Sequence, residues 1–177
     1  MSSIRLTNDF FKRDVLEVAP DLLGNLLIRK YDNGSLQKFI ITEVEAYRGE
    51  EDLACHASKG RTKRTEIMYH EGGHLYVYLI YGMYWMLNIV TGEENNPQAV
   101  LIRGLQGFDG PGKLTKFLQI DKSFNGEDLQ LSNRIWIEKN DSQINNSYTV
   151  APRIGIDYAG EIWKNKPWRY TLPIKSE

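Results

Sequence analysis

Short runs in which apolar and polar side chains alternate, each closed by a turn-forming stretch, commit most of this sequence to antiparallel β structure. Two such runs, about 24–31 and 37–47, flank Asp32-Asn33-Gly34, which favours a tight hairpin. Leu75 to Ile80 and Met83 to Val90 form a second pair with Tyr81-Gly82 at the bend, and Ala99 to Leu105 is a further run. Arg134 to Glu138 and Tyr148 to Ile156 also alternate, on either side of the polar stretch Asn140 to Ser147. Helix is scarcer. Phe10, Phe11, Val15, Leu16, Ala19, Leu22 and Leu23 recur at near-helical spacing over about Asp9 to Leu23, where Pro20 is predicted to kink or split the helix. The loop Gly107 to Lys113 is predicted to feed a helix over about 112–120, whose first N–H groups are free to hold a phosphate.

A chain of 177 residues with 41% hydrophobic content can bury one substantial core, so a single domain over 1–177 is expected. No stretch reaches the roughly 18 apolar residues that cross a bilayer. Met1 to Arg13 lacks a basic region followed by an apolar one, which predicts a soluble, cytoplasmic protein without a membrane partner. Cys55 is the only cysteine, which excludes an internal disulfide and any cysteine-based zinc or iron–sulfur site. Lys plus Arg (22) nearly balances Asp plus Glu (23), and the net charge of −1 gives no global attraction to nucleic acid. A polyanion could then be held only by local clustering. Lys59, Arg61, Lys63 and Arg64 are one such cluster, although a solvated loop has the same composition.

His70-Glu71-Gly72-Gly73-His74 spells HExxH, which binds zinc only on a helix that sets both histidines on one face. Two internal glycines each cost a helix about 1 kcal/mol relative to alanine, and the following residues alternate like a strand. A glycine turn leading into Leu75 is the better expectation. On the strand from Phe39, side chains point to alternate faces, so Phe39, Ile41, Glu43, Glu45 and Tyr47 are predicted to share one face, with Ile40, Val44 and Ala46 on the other. Two carboxylates beside a tyrosine require solvent, partners or a cleft. Tyr76, Tyr78, Tyr81, Tyr84 and Trp85 lie within ten residues. Such density usually marks core, but a tyrosine at a hairpin tip is not explained by packing.

Several ordered blocks carry a family resemblance: Thr42-Glu43-Val44-Glu45-Ala46-Tyr47-Arg48-Gly49, Asp52-Leu53-Ala54-Cys55-His56, Leu75 to Tyr84, Leu87-Asn88-Ile89, Val100-Leu101-Ile102-Arg103, Gly110-Pro111-Gly112-Lys113-Leu114 and Arg153-Ile154-Gly155-Ile156. Together, from about Leu6 to Tyr170, they resemble the alkyladenine type of 3-methyladenine DNA glycosylase. The resemblance implies an α+β fold, a single domain with a curved, mostly antiparallel β-sheet and a few surrounding helices. It implies a monofunctional, monomeric enzyme without cofactor or metal, which flips 3-methyladenine, hypoxanthine, ethenoadenine or 7-methylguanine out of double-stranded DNA and leaves an abasic site. Glu45 would activate the attacking water and Arg103 help to position it, with Glu43 secondary. Tyr47, His56 and Tyr78 would stack on the extruded base, Asn88 would narrow the pocket against the 2-amino group of guanine, and Tyr81 would fill the gap in the duplex. Arg61, Arg64, Lys113 and Arg153 would hold the DNA backbone. A catalytically silent binder of distorted DNA, with Tyr81 as a wedge, is the alternative from another class.

Overall fold

Residues 4–142 and 147–173 are described by a computed structural model, and within them every strand pairing is antiparallel. Among the described residues nine strands make one sheet: β1 (Leu26–Lys30), β2 (Leu36–Arg48), β3 (Leu75–Ile80), β4 (Tyr84–Thr91), β5 (Gln98–Leu105), β6 (Phe108–Asp109), β7 (Ile135–Glu138), β8 (Thr149–Ala151) and β9 (Arg169–Thr171). The main path runs β3-β4-β5-β2-β1-β7, with β6 on β5, β9 on β2 and β8 on β9. Four short α-helices accompany it within the same residues: α1 (Asn8–Phe11), α2 (Val15–Leu22), α3 (Pro111–Phe117) and α4 (Gly160–Lys164). This is the α+β arrangement expected from the resemblance.

The 13-residue β2 organises the molecule. Its first half pairs with β1, and its second half lies between β5 and β9. Where the halves meet, the register against β5 slips twice, from Ile41↔Leu105 to Glu43↔Gly104 and then to Val44↔Ile102. Thr42 and Arg103 are the extra residues, one on each strand, and bulges of this kind re-aim side chains. Strict alternation therefore fails here. Ile41, predicted to share a face with Glu43 and Glu45, instead joins Val44 and Ala46 in the main apolar core. Gly104 is required at this crossing, because a Cβ there would stand 2.9 Å from Thr42 Oγ1 and 3.1 Å from Glu43 Cβ.

Phe11, Val15, Val18, Ala19 and Leu22 bury their faces in the same core, against β2, β4 and β5 residues such as Leu87, Ile89, Val100 and Ile102. Each large side chain so buried contributes about 1.5–3 kcal/mol relative to exposure. The predicted long helix does break, but at Asp14 rather than at Pro20. Asp14 has extended backbone and caps α2, accepting from the Leu16 amide at 2.9 Å, whereas Pro20 sits within the last turn of α2, where little ladder remains to be lost. The strand expected over 148–156 ends at Ala151, and residues 152–156 leave the sheet as a loop. Of the polar stretch between β7 and β8, residues 143–146 lie outside the described residues.

His70 to His74 form a turn and not a helix. The reason is close approach: a Cβ at Gly72 would lie 2.2 Å from the Phe11 carbonyl oxygen, and one at Gly73, where φ is +105°, 2.3 Å from Asn8 Oδ1. Glu71 is taken up by Lys12 at 3.1 Å.

Candidate active site

The double bulge brings Glu43, Glu45 and Arg103 together. Arg103 Nε lies 3.4 Å from Glu43 Oε1 and 3.8 Å from Glu45 Oε2. Glu45 has no exposed surface. Its Oε1 accepts from the Tyr47 hydroxyl at 2.9 Å, and its Oε2 accepts from the Ile154 amide at 2.7 Å, so the loop after β8 closes over the carboxylate. Burial raises the Glu45 pKa above the ordinary carboxylate value, and the Arg103 charge, the Ile154 amide, the Tyr47 hydroxyl and the Arg153 charge each offset part of that rise.

Tyr47 connects this carboxylate to an aromatic pocket. Tyr47, His56, Tyr78 and Asn88, all named from the sequence, line one small cavity together with Tyr76 and Tyr158. His56 lies 4.5 Å from Tyr78 between ring centroids, and its Nδ1 is 2.8 Å from the Tyr76 hydroxyl. Burial, helped by the nearby Arg64 charge, pushes the His56 pKa down to about 4, so the ring is neutral at physiological pH. Burial likewise raises the Tyr76 phenol to about 12 and holds Tyr47 and Tyr78 well above the usual tyrosine value. Asn88 is fixed by its Nδ2, which donates to the Tyr76 carbonyl at 3.1 Å. The cavity measures about 40 Å³, room for about one to three waters and not for a purine.

Tyr158 had no assigned part in the sequence. It sits on a single 3-10 turn (Asp157–Ala159) beyond the last matching motif, and only the tertiary fold brings its hydroxyl to the Ala54 carbonyl, at 3.2 Å. No local periodicity could have signalled it. Tyr76 shares a face with Tyr78 as the alternation predicts, and its hydroxyl adds the contact to His56.

Tyr81 stands at the β3–β4 tip with 84% of its surface exposed. The Met83 amide donates to the Ile80 carbonyl at 3.1 Å, with positive φ at both intervening residues, Tyr81 (+54°) and Gly82 (+65°). Left-handed backbone at both central positions is what a type I′ turn needs, and a tyrosine adopts it at a cost. The hairpin is anchored just below its tip by α3: Thr115 Oγ1 donates to the Trp85 carbonyl at 2.7 Å, and a Cβ on Gly112 would meet the Tyr84 ring at 2.7 Å.

The four basic residues named for the DNA backbone fare differently. Lys113 is exposed near the start of α3, and Arg64 is exposed with its guanidinium 5.4 Å from the Tyr78 ring centroid, at the pocket rim. Arg61 is exposed but engaged, donating to both oxygens of Glu66 at 2.9 and 2.6 Å and to Asn95 Oδ1 at 2.9 Å. Arg153 does not face the DNA as the resemblance implies. Its side chain is completely buried, donates to both oxygens of the equally buried Asp52 at 2.6 and 2.9 Å and to the Ala46 carbonyl at 3.0 Å, and lies against the Tyr47 and Trp168 rings. No phosphate can reach it. Arg153 instead pins the loop that begins at Pro152 and closes over the Glu45 carboxylate.

With this geometry in view, comparison with known proteins is specific. A sequence model of the family described as Methylpurine-DNA glycosylase (MPG) matches residues 9–109 and 106–176. A protein of Borrelia garinii subsp. bavariensis, provisionally named a 3-methyladenine DNA glycosylase, is 46% identical over 175 residues, covering 92% of this chain and 93% of its own. Proteins with the same provisional name from Legionella pneumophila (strain Corby) and Methanocella arvoryzae are 44% and 42% identical, covering 95% and 93% of this chain and 94% and 90% of their own.

Proposed function

This chain belongs to the methylpurine-DNA glycosylase family, and from that premise we propose that it extrudes alkylated or deaminated purines from duplex DNA and hydrolyses their N-glycosidic bond with a water activated by Glu45. The substrates proposed are 3-methyladenine, hypoxanthine, ethenoadenine and 7-methylguanine, and the product is an abasic site. One observation carries the proposal: the 2.9 Å bond from the Tyr47 hydroxyl to Glu45, which sets a carboxylate directly behind an aromatic wall of the pocket. On this reading, a purine stacked on that wall brings its sugar carbon to the buried acid once the pocket widens.

In the hydrolysis, water oxygen bonds to C1′ as the C1′–N bond breaks. The bonding pair leaves with the base, and a water proton passes to Glu45. The sugar is cation-like at the transition state, so the carboxylate stabilises it as well as taking the proton. Arg103, 3.8 Å from Glu45, helps to orient the water. Because water alone is the nucleophile, the strand is left unbroken.

Selectivity follows from the pocket. Extruding a nucleotide costs a few kcal/mol, less for a weakly paired lesion, while each aromatic stack returns about 1–3 kcal/mol. Alkylated purines that are cationic gain about 0.5–2 kcal/mol more from electron-rich rings. A neutral His56 does not repel them. Entry of a purine requires the pocket to widen, and the exposed Tyr158, held by its hydroxyl at Ala54, is the wall best able to yield. Tyr81 enters the vacated stack, Asn88 excludes the guanine 2-amino group, and Arg64 and Lys113 hold phosphates, with Arg61 available once it exchanges Glu66 for DNA. The protein acts as a monomer.

The decisive measurement is single-turnover incubation with a duplex carrying one hypoxanthine or 3-methyladenine, followed by alkali to reveal abasic sites. Wild type gives an alkali-labile site, and Glu45→Gln gives at least roughly 100-fold less, the lower end for loss of a general base. Undiminished cleavage by Glu45→Gln removes Glu45 from the reaction.

A further inference from the structure

Glu43 stands two residues before the proposed base and holds two guanidinium groups on one oxygen. Its Oε1 is 3.4 Å from Arg103 Nε and 3.1 Å from Arg169 Nη1. Arg169 lies on β9 directly across from Glu45 in the ladder, and its Nε donates to the Pro152 carbonyl at 3.0 Å. Two residues further on, the Ile154 amide donates to Glu45 Oε2 at 2.7 Å. That same Oε2 is the atom 3.8 Å from Arg103. Glu43 is therefore linked to both groups that bear on the catalytic oxygen, to the cation directly and to the amide through Arg169.

The charges balance, with two carboxylates against two arginines, all at most a quarter exposed and hence weakly screened. The other charged and titratable neighbours of Glu45 offer it no exchangeable charge partner. Arg153 is committed to Asp52, and Tyr47, Tyr78 and Tyr158 are phenols whose pKa values burial holds above the usual tyrosine range. Only the sharing of Arg103 between Glu43 and Glu45, and the hold of Arg169 on Pro152, remain adjustable. A guanidinium that closed fully onto Glu45 would make a short charge-assisted bond and strip the carboxylate of basicity.

We infer that Glu43 and Arg169 are positioning residues for excision: Glu43 keeps Arg103 from closing onto Glu45, and Arg169 fixes the Pro152–Ile154 segment whose amide orients the Glu45 carboxylate. This inference rests on Glu45 being the base. Glu43 then has a part no stacking or water contact would give it, which accounts for a second carboxylate on a largely buried face.

The test is the pH dependence of single-turnover excision of hypoxanthine from a duplex, with intact folding checked by thermal unfolding. In Glu43→Gln, Arg103 passes to Glu45, so the acid limb moves to lower pH and the plateau falls by roughly 10- to 100-fold, the scale of a misplaced catalytic group. In Arg169→Gln, a cation and the loop tether are lost, so the limb moves to higher pH with a similar loss of plateau. Arg169→Lys returns the limb towards wild type while restoring only part of the rate, because one ammonium cannot serve Glu43 and Pro152 with a fork's geometry. A merely structural role lowers rates without displacing the limb. Limbs that stay at the wild-type position, or that move the same way in both glutamine variants, overturn the inference. Should Glu43→Gln not fold, the Arg169 pair decides alone, since the limb must rise with Gln and return with Lys. Glu45→Gln is measured alongside: full activity there overturns the parent proposal and this inference together, whereas an inactive Glu45→Gln with unshifted limbs elsewhere overturns this inference only.

Discussion

Two arginines that look alike in the sequence separate sharply in the fold. Arg153 is sealed with Asp52, and removing one partner of such a pair leaves an uncompensated buried charge. Arg153→Ala should therefore lose about 3–5 kcal/mol of stability, measured as a fall in the urea midpoint. Arg64 sits exposed at the pocket rim, so Arg64→Ala should change stability by no more than about 0.5 kcal/mol. It should instead weaken duplex binding and reduce the slope of log K against log salt by about one, seen in titrations at several salt concentrations. The reverse assignment, a stable Arg153→Ala with a shallower salt slope, would return Arg153 to the DNA interface. Nothing local in the sequence distinguishes the two, because the partner of Arg153 is 101 residues away.

At the scale of elements, the β3–β4 hairpin was legible almost to the residue, since six residues of alternation on each side of a glycine bend specify both strands and the tip. Tyr81 at that tip pays a backbone cost for its position. Tyr81→Asn, which tolerates left-handed backbone better, should hold or raise the melting temperature, yet lower excision by roughly 5- to 150-fold, the equivalent of about 1–3 kcal/mol of stacking. An asparagine variant that excises as well as wild type would leave the exposed tyrosine without a use. The centre of β2 was less legible. Alternation correctly placed Glu43, Glu45 and Tyr47 on one face, but it also placed Ile41 there, because a bulge at Thr42 leaves no mark on hydrophobic period. The same irregularity frees Arg103 from the ladder to face both acids, so the element that sequence periodicity misread is the one that builds the site. Alternation likewise predicts strand over 152–156 where the fold has a loop, because Pro152 offers no amide to a ladder and Ile154 donates its own to Glu45.

For the whole molecule, the site sets the pH range in which the fold is comfortable. The fold raises the Glu45 pKa, chiefly by burial, so it favours the protonated acid; that contribution is complete below the pKa of an unfolded glutamate and is lost as pH rises through the folded value. At neutral pH the buried carboxylate thus costs stability, the form in which a functional group is commonly retained. His56 works from the opposite side. Its pKa is lowered to about 4, so the stability of its neutral form is present above the unfolded histidine value and is lost as pH falls towards 4. Glu45→Gln removes the first titration and leaves the second. Its melting temperature should exceed that of wild type at pH 8, and the gap should close on acidification to pH 4, while both proteins lose stability together from His56 over the lower part of that range. Excision runs against this trend, because the base must be ionised to accept a proton, and wild-type activity should fall on acidification above the ordinary glutamate range. Melting curves and excision rates collected over the same pH series test both statements. A Glu45→Gln protein less stable than wild type at pH 8 would mean that Arg103, the Ile154 amide and the Tyr47 hydroxyl more than compensate the burial of the charge, and that the site is built for the carboxylate without a cost in stability.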